Sequence, residues 1–470
     1  MDYIAAVAAE TGLAIDSEAL ALALDARDEL RELRDEFSIP TVGDIAGSGP
    51  GPGSGSGSDS DSESGSNHNH VHPAAACTYL AGNSLGLMPR RARQLVGEEL
   101  DEWARRGVVG HHRHSHGRAW VAYRERVVEL MAPLVGAGAR EVGVMASLTS
   151  ALHLLLAAFY RPHAQRTRIL LEAHAFPSDH YAAESQAQWH GLGAGAVLLA
   201  EPRAGELVLR TDDVLALLAE RGSEIAVVLL SGVQYYTGQA FDMARITAAA
   251  RAAGCVVGWD LAHAAGNVAL QLHAWGADFA CWCTYKYLNA GPGGVAGFFV
   301  HERHGADHPR LKGWWGHDAA TRFDMTNAFA PAAGAAGFEV SNTPVLAAAA
   351  LLGSLQVFAR AGGMARLRAK SERLTALLER LLQPALVRAR IITPCDPAQR
   401  GAQLSVVFDD ADAFAAVFSA LAAAGVVCDE RKPSCIRIAP APLYNSYADV
   451  WRCAAVIAAA IAAAIKADQR

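Results

Sequence analysis

The segment from Ile169 to Phe299 alternates short apolar runs with stretches of helical periodicity. The runs are rich in Val, Ile and Leu and contain few polar residues. Continuous apolar strands separated by helices are typical of parallel sheets that helices cover on both faces. The sequence therefore predicts an α/β fold with a mainly parallel sheet in a large domain. The predicted strands are RILLEA, AVLLAE, IAVVLLSG, CVVGWD and DFACWCT.

Composition divides the chain of 470 residues into four predicted regions. Residues 1–45 form a helical segment, in which apolar spacing predicts an amphipathic helix from Ser17 to Phe37 with Ser17 as its N-cap. Residues 46–72 form an insertion rich in Gly, Ser and Asp, with too few apolar side chains to offset the entropy of ordering, and we expect disorder there. Residues 73–344 form the large domain, and residues 345–470 form a linking helix and a small α+β domain.

Charge and hydropathy exclude several classes of partner. The net charge is −7 and basic residues are scattered, which argues against nucleic-acid binding and favours a small-molecule partner. The N-terminus lacks the basic region of a secretory signal. The apolar run from Cys453 to Ile465 is too short to cross a bilayer, so it predicts a helix packed on the protein. We therefore expect a cytoplasmic protein with no membrane partner.

The cysteines and histidines give little indication of a metal site. The eight cysteines lack zinc-ribbon spacing, and several lie in apolar runs, so we expect reduced thiols. Cys281 and Cys283 would point to opposite faces of a strand, which makes them a poor chelate. The tract with His68, His70 and His72 can bind a metal weakly, although an ordinary polar tract has the same composition. The sequence therefore predicts no metal centre.

Polar residues follow the predicted strands at the points where each strand ends. Ligands of parallel sheets bind beyond the carboxyl ends of the strands, so we expect these side chains to converge on one site. They comprise two carboxylates, hydroxyls, an imidazole and an amine. The residues at these strand ends, polar and apolar together, are Phe176, Pro177, Ser178, Asp179, Ser231, Gly232, Asp260, His263 and Lys286.

Lys286 is the lone cation at the end of its apolar run. It is either a lysine whose stem lies along apolar surface or a partly desolvated amine that forms a Schiff base with a carbonyl. Gly291, Gly293 and Gly294 follow it. We expect these glycines to let the backbone turn tightly where a Cβ atom would not fit.

Asp260 directly follows the strand from Val256 to Trp259. A carboxylate at the end of a buried strand is costly unless a cation pairs with it, and a protonated pyridine nitrogen would be such a cation. Pyridoxal phosphate requires this acid and, farther along the chain, a Schiff-base lysine. Asp260 and Lys286 match that order. His263 is either a buried core histidine or a residue that tunes or stacks on the cofactor ring.

Three further positions have both a structural and a functional interpretation. Leu148, Thr149 and Ser150 precede an apolar helix, whose start offers backbone N–H groups and hydroxyls to a phosphate, although an N-cap serves the helix in either case. Arg437, in the last predicted strand, binds a substrate carboxylate or forms a structural salt bridge. Ser84 lies between glycines in YLAGNSLGL, which lines a site or forms an ordinary turn.

Several stretches of the chain resemble the kynureninase family, in order, from about Tyr79 to the last helix. The resemblance implies a fold-type-I pyridoxal phosphate enzyme, similar in architecture to aspartate aminotransferase, that forms a homodimer with active sites at the subunit interface. The stretches are YLAGNSLGL, EAHAFPSDHY, SGVQYYTGQ, GWDLAHAAGNV, DFACWCTYKYLNAG, GWWGH and IRIAPAPLYNS.

The same resemblance implies individual roles. Lys286 would hold the cofactor, Asp260 its pyridine nitrogen, and Phe176 would stack on the ring. Arg437 would bind the substrate carboxylate, and Tyr285 is the candidate acid near the reacting carbons. The residues implied around the cofactor are Leu148, Thr149, Asp179, Ser231, His263, Tyr285, Trp314 and Asn342, and those implied near substrate are Ser84, His111 and Asn342. Trp314 and Asn342 would come from the partner subunit.

The sequence departs from the family at the Gly/Ser/Asp-rich insertion and at GHHRHSHGRAW, where the family has one substrate-side histidine. His111 is assigned that role, with His112 and His114 as alternatives.

The implied activity is hydrolytic Cβ–Cγ cleavage of kynurenine, 3-hydroxykynurenine or both, which releases anthranilate or 3-hydroxyanthranilate and L-alanine. This reaction belongs to tryptophan catabolism and NAD synthesis. The alternatives are a cysteine desulfurase-like lyase or an aminotransferase of the same fold, a non-catalytic interaction protein, and a Schiff-base aldolase without a cofactor.

Overall fold

The computed structural model describes residues 2–47 and 72–468. The predicted disorder of the Gly/Ser/Asp-rich insertion falls almost entirely outside the described residues, as do His68 and His70.

Regular elements follow one another along the whole described chain. The α-helices are α1 (Tyr3–Thr11), α2 (Glu18–Ala26), α3 (Val42–Ile45), α4 (Arg90–Arg106), α5 (Tyr123–Met131), α6 (Leu148–Phe159), α7 (Pro177–Trp189), α8 (Thr211–Arg221), α9 (Met243–Ala252), α10 (Leu272–Trp275), α11 (Val345–Arg360), α12 (Met364–Leu382), α13 (Ala411–Ala423) and α14 (Tyr447–Asp468). The strands are β1 (Phe37–Ser38), β2 (Thr78–Tyr79), β3 (Met88–Pro89), β4 (Val142–Met145), β5 (Arg168–Glu172), β6 (Val197–Ala200), β7 (Ile225–Ser231), β8 (Val256–Asp260), β9 (Phe279–Trp282), β10 (Ala296–Val300), β11 (Ala389–Ile391), β12 (Leu404–Phe408), β13 (Val426–Val427), β14 (Asp429–Arg431) and β15 (Cys435–Ile438).

The chain folds into two compact units. The larger unit comprises Gly82–Lys370 and Ile392–Ala402, and the smaller unit comprises Met1–Ala81, Ser371–Ile391 and Gln403–Arg470. This division differs from the predicted boundaries, because the N-terminal helices belong to the same unit as the C-terminal domain and α11 belongs to the larger unit. The physical reason is shared burial, since Ile4 and Leu20 lie in one hydrophobic core with Ile436 and Val450.

The larger unit contains a seven-stranded sheet with the order β4-β10-β9-β8-β7-β5-β6. Only β10 runs antiparallel to its neighbours β4 and β9, so the predicted mainly parallel sheet is confirmed. In the parallel register, Ser231 pairs with Asp260 and Asp260 pairs with Cys281. The strand ends that carry the predicted site therefore lie side by side. The sequence analysis did not predict β4 and β10.

Helices cover this sheet and bury its strands. Ile169 and Leu171 of β5 share a core with Leu152 and Leu155 of α6. On β8, the Trp259 indole N–H donates a hydrogen bond to Thr247 Oγ1 of α9 (3.0 Å). All eight cysteines are free thiols.

The smaller unit contains an antiparallel sheet with the order β11-β12-β15-β14. Among its N-terminal helices, the predicted helix from Ser17 to Phe37 is wrong in its length. Ser17 caps α2 by accepting the Leu20 N–H (3.2 Å), but α2 ends at Ala26. The Asp28 side chain accepts the Leu30 N–H (2.9 Å), which favours a turn, and a short 3₁₀ helix follows.

The C-terminal apolar run belongs to a helix of 22 residues, α14. The predicted run from Cys453 to Ile465 was therefore too short. In the described part of the chain, α14 is the one single helix whose length and composition would allow it to cross a membrane; α11 and α12 pass the same test only together, and they are bent by 81°. Val450, Cys453 and Ile457 of α14 lie in the hydrophobic core of the smaller unit, so the helix packs on the protein.

Candidate active site

A cavity of about 180 Å³ lies at the carboxyl ends of the strands in the larger unit. The structure brings together here ten residues selected from the sequence: Leu148, Thr149, Phe176, Ser178, Asp179, Ser231, Asp260, His263, Tyr285 and Lys286. The sequence analysis assigned no role to four other residues of the lining, Ser147, Val233, Tyr235 and Ala262.

Lys286 lies in the turn that follows β9, and its ammonium group faces the cavity. Its Nζ is 2.9 Å from His263 Nε2. The same atom lies 6.0 Å from the centre of the Phe176 ring and 5.9 Å from the centre of the Tyr285 ring. An amine surrounded by an imidazole and two aromatic rings fits a Schiff-base lysine better than a lysine whose stem lies along the surface.

Gly86 allows the YLAGNSLGL segment to contact the backbone around Lys286. Its N–H donates to the Tyr285 carbonyl oxygen (2.8 Å). A Cβ atom at this position would lie 2.4 Å from the Lys286 carbonyl oxygen and 2.1 Å from Asn289 Oδ1. Any larger residue at position 86 would therefore displace the lysine-bearing turn.

The glycines after Lys286 act differently from the prediction. Gly291 and Gly293 have φ angles of +86° and +63°, and a Cβ atom on either would meet no described atom within 4 Å. Their role is conformational rather than steric, because residues with a side chain rarely adopt a positive φ angle. Gly294 alone is crowded, since its Cβ would lie 3.1 Å from Thr284 Oγ1.

Two buried carboxyl groups line the cavity. Asp260 and Asp179 are only 4% and 3% exposed. Asp260 accepts the Ala262 N–H (2.7 Å). Burial raises the pKa of Asp260, and burial together with the neighbouring Asp260 carboxylate raises the pKa of Asp179 well above its usual value. The charged forms of the two carboxyl groups are therefore disfavoured, and a cation beside them would stabilise those forms.

A third carboxyl group, Glu172, lies behind Ser231. It is the last residue of β5 and is 4% exposed. Ser231 donates its hydroxyl to Glu172 Oε1 and its N–H to Oε2 (3.2 Å). Burial raises the pKa of this carboxyl group. The sequence analysis assigned no role to Glu172, although a charged residue that ends an apolar strand was a usable signal.

The start of α6 provides an anion-binding surface. Ser147 occupies the N-cap position but, among the described residues, its side chain makes no capping hydrogen bond, and its Oγ lies 3.1 Å from Ser150 Oγ instead. Ala146 before it has a φ angle of +45°, which is unusual for alanine. Ser147, Leu148 and Thr149 line the cavity, and the first turn has no side-chain cap, so this helix start is suited to a bound phosphate.

These features together fit pyridoxal phosphate. The α6 N-terminus suits the phosphate, the Phe176 ring suits stacking, and Lys286 suits covalent attachment. Asp179 Oδ1 is buried and has no hydrogen-bond partner among the described residues. A protonated pyridine nitrogen would supply the charge that this pair of carboxyl groups lacks.

Four residues of the larger unit that were predicted to bind cofactor or substrate lie outside the cavity lining. Trp314 is 50% exposed, and its indole N–H donates to the Arg322 carbonyl oxygen (3.1 Å). Asn342 is exposed, and Ser84 is half-buried. His111 packs against the Trp120 ring with 5.3 Å between ring centres.

His114, one alternative to His111, has a structural role. Its imidazole is fully buried, and its Nε2 lies 2.8 Å from Glu99 Oε2. The same carboxylate accepts the Trp120 indole N–H (2.8 Å) and the Arg118 Nε–H (2.8 Å). Glu99, which the sequence analysis did not select, therefore anchors the histidine-rich segment, and His111 and His112 are the histidines left for substrate.

Arg437 lies on β15 of the smaller unit and is 1% exposed. Its cross-strand partner is Asp429 on β14, and the two side chains form an ion pair. The structural salt bridge considered from sequence is therefore present. A guanidinium group has five donors, so this pair is compatible with a second carboxylate.

Comparisons with known proteins give a consistent result. A family model described as the kynureninase C-terminal domain matches residues 367–457. The chain is 48% identical over 466 residues to a kynureninase from Monosiga brevicollis, covering 95% of this chain and 96% of that one. It is 51% identical over 442 residues to a kynureninase from Myxococcus xanthus, covering 93% and 96%. A solved structure, a C-DES variant with glycine covalently linked to its PLP cofactor, shares the fold, with a TM-score of 0.68, 20% identity and coverage of 81% and 96%.

Proposed function

The chain belongs to the kynureninase family, and from this premise we propose which of its residues carry the reaction. It is a pyridoxal phosphate-dependent hydrolase that cleaves the Cβ–Cγ bond of kynurenine, 3-hydroxykynurenine or both, with addition of water. The products are anthranilate or 3-hydroxyanthranilate and L-alanine. The observation that carries the assignment of roles is the cavity in which Lys286 meets Asp179, Asp260 and His263.

Lys286 is proposed to hold the cofactor and, once released by substrate, to take the substrate α-proton on Nζ. The bound cofactor supplies an electron sink for the resulting charge. His263 Nε2 lies 2.9 Å from Nζ, within reach for proton exchange, so this imidazole can receive or return the proton.

Asp260 and Asp179 are proposed to keep the pyridine nitrogen protonated. Asp260 is oriented by the Ala262 N–H, which leaves its carboxylate fixed at the end of β8. Burial raises the pKa of both groups, and a protonated ring nitrogen beside them would oppose that rise by stabilising their charged forms.

Tyr285 is proposed to donate a proton or hydrogen bond near the reacting carbons. Burial, and then the neighbouring Cys283, raise the pKa of its hydroxyl above the usual value. The hydroxyl therefore stays protonated at neutral pH, which suits an acid and excludes a phenolate base.

His111, Ser84, Asn342 and Arg437 are proposed to contact the substrate, with Trp314 and Asn342 supplied by a second subunit. Support for a homodimer comes from exposed aromatic and apolar side chains in one segment of the larger unit: Trp314 (50% exposed), Phe323 (51%) and Met325 (72%). Such side chains are typical of surfaces that another chain covers. Light scattering of the purified protein would give twice the mass of one chain. We also propose a cytoplasmic location and a role in tryptophan catabolism and NAD synthesis.

The test of the assignment is Lys286→Ala, with the exposed Lys466→Ala as the matched control. We expect Lys286→Ala to lose the visible absorbance of the covalently held cofactor and nearly all cleavage of both substrates, whereas the control keeps both. Product analysis with kynurenine and 3-hydroxykynurenine in parallel gives the preference. Normal turnover in Lys286→Ala would refute the assignment, and sulfide release from cysteine in place of kynurenine cleavage would favour a desulfurase-like lyase.

A further inference from the structure

A second polar cluster of the larger unit lies at the opposite end of the sheet from the cavity. It comprises Glu141, His273 and His301, whose ligand atoms all lie within 4.8 Å of one another. Glu141 precedes β4, His301 follows β10, and His273 lies on α10. Because β10 is antiparallel to β9, its last residue Val300 pairs with Phe279, the first residue of β9. The length of β9 therefore separates the cluster from the turn that carries the catalytic lysine.

The three side chains converge on one carboxylate. His273 Nδ1 lies 2.9 Å from Glu141 Oε1 and 3.0 Å from Oε2, and His301 Nδ1 lies 3.6 Å from Oε1. The two imidazole rings are stacked, with 4.9 Å between their centres. The Glu141 side chain is 2% exposed, whereas that of His273 is 48% exposed, so the cluster opens to solvent on one side.

The hydrogen bonds around His301 leave two acceptors facing each other. The Arg303 N–H donates to His301 Nδ1 (3.2 Å), so this nitrogen carries a lone pair and not a proton. The same nitrogen faces the Glu141 carboxylate at 3.6 Å. Both atoms are potential metal ligands, and a cation between them could bind both if it displaced the long Arg303 contact.

We propose that Glu141, His273 and His301 form a binding site for one divalent transition-metal ion, for which Zn²⁺ has the best-matched chemistry. Zinc binds imidazole nitrogens and carboxylate oxygens at about 2.0–2.2 Å in a tetrahedron, which places ligand atoms about 3.3 Å apart. The distances of 2.9 Å and 3.6 Å from Glu141 to the two histidines lie on either side of this value. A water molecule from the open side completes the tetrahedron.

The surroundings of Glu141 already fix its orientation. The carboxylate accepts the Gly138 N–H (3.0 Å) and the Glu302 N–H (2.9 Å), and it keeps further lone pairs for a metal. Binding replaces the Nδ1 proton of His273, which leaves as a solvated proton, and it displaces the long Arg303 contact to His301. The metal would link β4, at the edge of the sheet, to β10 and α10. Its effect is therefore on stability and not on substrate cleavage.

The test uses the pyridoxal phosphate-loaded enzyme, first dialysed against a chelator and then titrated with Zn²⁺ by calorimetry. We expect one equivalent per chain with a Kd in the micromolar range or below, and a rise in Tm of at least about 1–2 °C at saturation. His273→Ala and His301→Ala should each weaken binding at least about tenfold. The triple variant His68→Ala/His70→Ala/His72→Ala is the control for the histidine-rich tract, and it should keep the equivalent of zinc.

Three results would overturn the proposal. These are no zinc binding by the dialysed enzyme, unchanged binding in both His273→Ala and His301→Ala, or loss of the equivalent in the triple variant. If either single variant does not fold, Co²⁺ bound to the unsubstituted enzyme gives a second measurement. Intense visible absorbance supports tetrahedral coordination, and a weak octahedral spectrum overturns it. Kynurenine cleavage should be unchanged in both folded single variants.

Discussion

Replacement of Arg437 by alanine separates the two roles that its position allows. The guanidinium group is 1% exposed and forms a cross-strand ion pair with Asp429, whose side chain is 12% exposed. Arg437→Ala removes the cation of this pair and, if Arg437 also binds the substrate carboxylate, it removes that contact as well. The two losses appear in different measurements, because the first changes stability and the second changes KM.

The structure gives a magnitude for each loss. Removing Arg437 costs less than the about 3–5 kcal/mol of a buried charge left unpaired, because Asp429 keeps its ion pair with Arg431 (2.7 Å). Removing a charged contact to a bound carboxylate costs about 2–4 kcal/mol, which corresponds to a roughly 30- to 700-fold higher KM at 1.4 kcal/mol per tenfold change. We therefore expect Arg437→Ala to have both a lower Tm and a higher KM for kynurenine.

The matched control is Asp429→Asn, which removes the charge on the other side of the pair and keeps the shape of the side chain. It should lower the Tm and leave KM within about threefold of the unsubstituted enzyme. The double variant Asp429→Asn/Arg437→Ala should recover part of the stability, because no buried charge is left uncompensated, but not the KM. Steady-state kinetics and thermal melts of the loaded enzymes measure both quantities. An unchanged KM in Arg437→Ala would refute a role in substrate binding and leave the salt bridge as its whole function.

Two further predictions concern buried groups of the larger unit. Glu172→Ala should raise the Kd for pyridoxal phosphate about tenfold, because Ser231 loses both of its hydrogen bonds to the carboxylate. Glu172→Gln should have a smaller effect. An equal Kd in the unsubstituted enzyme and both variants, measured by absorbance titration, would contradict this prediction. Burial lowers the pKa of His308 to about 4, below its unfolded value of about 6.5, so its contribution to stability is complete above pH 6.5 and is lost as the pH falls towards 4. His308→Gln should therefore lose less stability than the unsubstituted enzyme as the pH falls over that interval. The difference in free energy of unfolding should stay below about 3 kcal/mol, because the ring is partly exposed. An equal fall in Tm with pH in both proteins would argue against it.

The sequence predicted the parallel part of the sheet because its strands are continuous apolar runs with helices between them. The convergence of Asp179, Ser231, Asp260 and Lys286 followed from one rule, that ligands bind beyond the carboxyl ends of parallel strands. β4 and β10 escaped prediction because they contain or adjoin glycines, which are typical of turns.

Other features depended on contacts that no local pattern contains. The amphipathic spacing from Ser17 to Phe37 continued through the turn at Asp28, so the break in the helix was not visible. The apolar faces of α1 and α2 do not specify which core they join, and the domain boundaries differed for that reason. Glu141 and His273 are 132 residues apart in the chain, and only the pairing of strands and the packing of α10 bring them together.

The three carboxyl groups at the cavity explain why this site depends on a cation. Glu172, Asp179 and Asp260 are each almost fully buried, and burial raises the pKa of all three. The charge of Lys286 acts in the opposite direction on Asp179 and Asp260, but one ammonium group cannot compensate three carboxylates. A cationic ring would therefore stabilise the charged forms of these carboxyl groups. Burying these carboxyl groups costs free energy, and the same groups would keep the pyridine nitrogen protonated during the reaction.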